Sequence, residues 1–194
     1  MNKDKALELV NEIKELIEKS SRFVSLSGMT AVMAGTYSLV GAYVVARVFK
    51  SEASLTEMIL VASLVLIASV ITACILSCYK ARKTGQKIFS KLTYRILWNF
   101  SLPLLVGLLF CIALLLHENY GVISSVMLLF YGLSLVNVSK FTYSNVAWLG
   151  YGFLLLGVVD CFFEGYALMF WTIGFGGLHI LYGILFYLQY ERSK

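Results

Sequence analysis

Uninterrupted apolar runs fill most of the chain, and charged positions are confined to the short stretches between them. No Asp, Glu, Lys or Arg occurs in residues 23–46, 58–79, 96–116, 119–139, 141–159 or 165–190, six runs of 19 to 26 residues. A helix needs about 20 apolar residues to cross the hydrocarbon core of a bilayer. The pattern therefore predicts an all-α polytopic membrane protein, a bundle of six transmembrane helices over about 23–48, 56–79, 97–116, 120–139, 144–163 and 166–189. The runs lack the alternation of polar and apolar positions that membrane strands need, which argues against a barrel. The fifth span is the weakest of the six, because it reaches adequate length only by carrying Asp160 close to one end. Too few residues remain for a second domain, and residues 191–194 make only a short tail.

Residues 1–22 follow a different rule. Ala6, Leu9, Ile13 and Leu16 alternate spacings of three and four, widened by Val10 and Ile17, while Glu8, Glu12, Glu15 and Glu18 interleave with Lys14 and Lys19. That periodicity predicts an amphipathic helix on the cytoplasmic side, and the mixed charges argue against a cleavable signal peptide. So acidic a face matches an anionic membrane surface poorly. It suits docking on the protein's own basic loops, or a cytoplasmic protein partner held through residues 1–20.

Composition agrees with the hydropathy pattern: 59% of residues are apolar, 14% are charged and one proline is present. Charge adds an orientation. Fourteen of the 16 basic residues fall in the N-terminal tail, the loop between spans two and three, Lys140 and the C-terminal tail, against Arg47 and Lys50 on the other side. By the positive-inside rule both termini are cytoplasmic in a multi-pass protein of the inner (plasma) membrane. The net charge of +5 is thereby explained by insertion into the lipid bilayer, and no nucleic-acid partner is implied. In the second cytoplasmic loop Lys83, Lys87, Lys91 and Arg95 recur every four residues, with Ile88, Phe89, Leu92 and Ile96 roughly opposite. This predicts a short interfacial helix whose basic face meets anionic lipid headgroups.

Within the spans, small residues mark where helices approach closely, because lipid tails are as apolar as leucine. Span one carries Gly28, Ala31, Gly35, Ser38 and Ala42 on one face; span five carries Gly150, Phe153, Gly157, Asp160 and Glu164; span six carries Thr172, Gly176, His179 and Gly183. Asp160 and Glu164 are expected one turn apart near the outer surface, either sharing a proton or a cation or simply reaching water. His179 lies about 18 Å from the outer end of span six, with Thr36, Tyr37, Tyr131 and Ser134 as candidate hydrogen-bond partners at that depth. The pairs Tyr131-Gly132, Tyr151-Gly152 and Tyr182-Gly183 place hydroxyls beside close-approach points, so the last three helices are candidates to line a small polar cavity.

Enzyme signatures are missing from the sequence. Two histidines at different depths exclude bis-histidine haem, and Cys74, Cys78, Cys111 and Cys161 form no Cys-x-x-Cys pair. No nucleophile elbow, phosphate-binding loop or zinc motif occurs, so no cofactor and no metal site is expected. Ser25-Leu26-Ser27-Gly28 with Ala34-Gly35, Tyr94-Arg95 with Trp98-Asn99, Phe130-Tyr131-Gly132 through Asn137-x-Ser139-Lys140, and Phe170-Trp171 through His179-Ile180-x-Tyr182-Gly183 resemble an uncharacterised family of small six-span bacterial inner-membrane proteins. The resemblance covers nearly the whole chain and implies the six-span fold, but brings no activity or catalytic residues with it. The sequence thus points to a non-enzymatic membrane protein with a sensing, regulatory or scaffolding role, possible as a homo-oligomer. The alternative is a small-solute or proton-linked transporter using Asp160, Glu164 and His179.

Overall fold

A computed structural model describes residues 27–48, 54–83, 90–163 and 165–192. The amphipathic segment 1–22, Lys87 and Glu164 lie outside the described residues. Every element among the described residues is helical: α1 (Gly28–Tyr43, continued by a π-helical turn Val44–Val48), α2 (Leu55–Lys83), α3 (Lys91–Leu116), α4 (Ile123–Ser139), α5 (Asn145–Asp160) and α6 (Ala167–Glu191). The all-α expectation holds there.

Five of these helices are long and apolar enough to cross a membrane. The exception is α5, whose 16 residues reach only about 24 Å against a hydrocarbon core of about 30 Å. It stops at Asp160 rather than near residue 163. The link to α6 turns at Gly165, where φ is +85° and a side chain would be strained.

Of the interfacial helix expected around residues 83–96, residues 84–89 lie outside the described residues; Lys83 closes α2, while Lys91 and Arg95 lie in the first turns of α3. The reason is local: the Ser90 hydroxyl accepts a hydrogen bond from the Thr93 backbone N–H at 3.1 Å, an N-cap that starts a helix at Lys91 and lets it run unbroken into the apolar stretch.

Helices pack as an elongated row rather than a closed ring. The first helix sits between α2 and α6, and α4 sits between α3 and α5, with α4, α5 and α6 enclosing the densest core. Glycines set these approaches. A Cβ on Gly28 would lie 2.5 Å from the Gly183 carbonyl oxygen, and one on Gly35 would lie 2.8 Å from that of Gly176. The small-residue faces of spans one and six therefore pack on each other, running antiparallel. Gly132 and Gly150 play the same part between α4 and α5, where each would meet the other's carbonyl at 2.9 Å. Along the helix axes, the basic residues Lys80, Arg82, Lys83, Lys91, Arg95, Lys140 and Arg192 gather at one end of the bundle; this is the basic end below.

Candidate functional site

The polar side chains buried among α4, α5 and α6 occur at successive depths. Midway along the bundle, Tyr131 of α4 and His179 of α6 share a hydrogen bond of 2.8 Å between the phenol oxygen and Nε2. His179 is 6% exposed. Its ring is enclosed by those of Phe153, Tyr131 and Phe175, at centroid distances of 5.2, 5.4 and 6.1 Å. The α6 backbone just before it, Thr172–Leu178, is wound as a π-helix, which widens the turn on which the imidazole sits. The other ring nitrogen, Nδ1, is buried without a hydrogen-bond partner. Of the four partners the sequence offered to His179, the structure brings Tyr131 to it; Tyr37 instead meets Thr72 of α2 at 3.1 Å, and the Thr36 hydroxyl turns back to the Val32 carbonyl.

Toward the far end, Asp160 closes α5 and is only 4% exposed. Ser125 of α4 donates to its Oδ2 at 2.9 Å, and the neighbouring Ser124 donates to the Ala167 carbonyl at the start of α6. Three helix ends are thereby joined by two adjacent serines. Asp160 and His179 do not meet, each being held by a different turn of α4.

Toward the basic end, Ser134 is completely buried and donates to the Phe130 carbonyl one turn back. The Tyr182 hydroxyl is buried without a hydrogen-bond partner. Below it the rings of Tyr143, Phe186 and Tyr190 pack edge-to-face or tilted at 4.8 to 5.0 Å, joining the α4–α5 turn to the end of α6. Burial first, then the neighbouring Tyr190 and Glu191, pushes the Tyr143 phenol above its ordinary pKa. Lys80 of α2 forms an ion pair with Glu191 and stands 5.9 Å over the Phe186 ring. Asn137 bonds the Asn99 backbone and side-chain oxygens at 3.0 and 3.2 Å, tying α3 to α4. Lys83, Lys91 and Arg95, the described members of the expected headgroup-contacting set, are exposed.

Sequence reasoning missed Ser125 and the Lys80–Glu191 pair. Ser125 looked like an ordinary small residue within an apolar run, and Glu191 lies 111 positions from its cation. Among the described residues no three His, Cys, Asp or Glu side chains come together as a metal site would require. What the arrangement does physically is join helices; between membrane-spanning helices such hydrogen bonds contribute about 0.6 kcal/mol each on average. Comparison with protein-family models, curated proteins and solved structures gives no match, so the resemblance to small six-span membrane proteins stands on its sequence motifs alone.

Proposed function

We propose that this chain is a non-catalytic integral membrane protein of the bacterial inner membrane, crossing six times with both termini cytoplasmic, and serving a sensing, regulatory or scaffolding role. One observation carries the non-transporting part of the reading: Asp160 and His179, both nearly sealed from solvent, are each committed to a partner on α4 and are not joined to each other. Exposed aromatics support the membrane placement. Tyr79, Tyr94, Trp98, Trp148 and Tyr187 cluster at the basic end, and Tyr43, Tyr120, Phe162, Phe163 and Tyr166 at the other, as in the two interfacial belts of a spanning bundle. The short α5 is accommodated as the fifth of the six spans by local thinning of the bilayer, with Phe162 and Phe163 extending its apolar length.

The cytoplasmic element for a protein partner is the amphipathic segment, residues 1–20. Deleting it should leave membrane insertion intact and remove a specific co-purifying protein; an unchanged set of co-purifying proteins would overturn the assignment. A second reading, a proton-linked or small-solute transporter, draws on the buried and unpartnered His179 Nδ1 and Tyr182 hydroxyl. It requires that Asp160→Asn lower uptake into reconstituted vesicles. The scaffolding reading expects no flux that responds to this substitution.

A further inference from the structure

We infer that the outward face of α3 at the basic end is a docking site for an anionic phospholipid of the inner leaflet, recognised by Lys91 and Arg95 at the headgroup and by Tyr94 and Trp98 below it. Resting on the orientation proposed above, the inference singles out one helix among several that carry basic residues at that end. On α3 the residues that pack inward are Ile96, Asn99, Phe100 and Gly107, through the core, Asn137, Tyr131 and Phe130 respectively. At 100° per residue, Lys91, Tyr94, Arg95 and Trp98 centre on the opposite side. Tyr94 and Trp98 are 70% and 57% exposed, and both basic side chains are exposed.

Asn99 fixes this face outward. It accepts from the Asn137 side-chain amide of α4 at both its backbone and its side-chain oxygen, so α3 cannot roll without breaking these half-buried contacts. Charge supplies the partner's sign. Lys140 and Arg192 sit at helix C-termini, where the helix dipole favours cations, whereas Lys91 and Arg95 sit in the first turns of a helix that has no acidic residue there. Their positive potential adds to that of the dipole instead of offsetting it. A bound phosphodiester compensates both, with amphipathic aromatic rings lying along its glycerol and upper acyl region.

The test uses the full chain with Trp148→Phe and Trp171→Phe, leaving Trp98 as the only indole, in phosphatidylcholine vesicles containing a minor fraction of brominated lipid. Brominated phosphatidylglycerol should quench Trp98 several-fold more than brominated phosphatidylcholine at the same fraction, since each basic residue enriches an anionic lipid roughly fivefold. Lys91→Gln with Arg95→Gln should abolish the preference, while Arg82→Gln with Lys83→Gln, also exposed, should leave most of it. Equal quenching by the two lipids, or equal loss from both double variants, would overturn the site. Failure of the orientation itself is separate: it would appear as a C-terminal reporter accessible only from outside the cell.

Discussion

His179 shows what one buried imidazole demands of its surroundings. Its Nε2 is satisfied by the Tyr131 phenol, and three rings close around the rest. Tyr131→Phe keeps the aromatic packing but removes the hydrogen bond at Nε2; the expected cost is about 1 to 2 kcal/mol, seen as a lower unfolding midpoint in detergent. Ser125→Ala should destabilise by a similar mechanism at Asp160, because it removes a donor to a carboxylate that is nearly sealed from water. That both substitutions matter was only half legible from the chain. An aspartate and a histidine within apolar runs announce themselves by their cost in hydrocarbon. Which neutral residue relieves that cost depends on how α4 is rotated, and serine and tyrosine are common enough in such runs to give no local signal. Tyr143 makes an alkaline prediction. Its phenol titrates higher in the folded protein than in the unfolded chain, so its contribution is fully present below the ordinary phenol pKa of about 10 and is lost as pH rises through the raised value. Tyr143→Phe should flatten the fall in stability in that alkaline range.

Helices were readable from the charge-free runs, and their faces from the small residues, because both patterns are local properties of the sequence. Their ends were less so. An N-cap at Ser90 draws the basic stretch into α3, and α5 terminates at its own aspartate, decisions made by single hydrogen bonds and by the chain reversal at Gly165. The glycine seams permit a paired test within one helix. A Cβ added at Gly183 would lie 2.6 Å from the Gly28 carbonyl, while one added at Gly177 meets nothing within 4 Å. Alanine is about 1 kcal/mol more favourable than glycine within a helix. Gly177→Ala should therefore be neutral or slightly stabilising, and Gly183→Ala destabilising by forcing α1 and α6 apart, read as loss of a cysteine cross-link placed across that seam. Equal behaviour of the two variants would mean that backbone propensity, not close approach, governs α6.

At the scale of the whole molecule, the row of helices leaves α2 at its margin. It packs on α1, where Gly41 admits Val61 and Val65 and where Tyr37 meets Thr72, and it reaches the α4–α6 core through the clasp of Lys80 on Glu191 and Phe186. The clasp lies at the basic end, and both its side chains are largely shielded from water, with exposures of 24% and 17%. Removing one partner leaves a poorly solvated charge, a larger penalty than the net stabilisation supplied by the intact pair. Glu191→Lys should accordingly loosen the basic end of α2 more than it lowers global stability, because the α1 contacts persist. Adding Lys80→Glu should restore the attachment with the charges exchanged. Cross-linking between cysteines placed on neighbouring turns of α2 and α6 measures this directly. A single reversal that leaves cross-linking unchanged would show that α1 alone holds α2, whereas loss in the single variant with recovery in the double makes the clasp the second support of an otherwise one-sided helix.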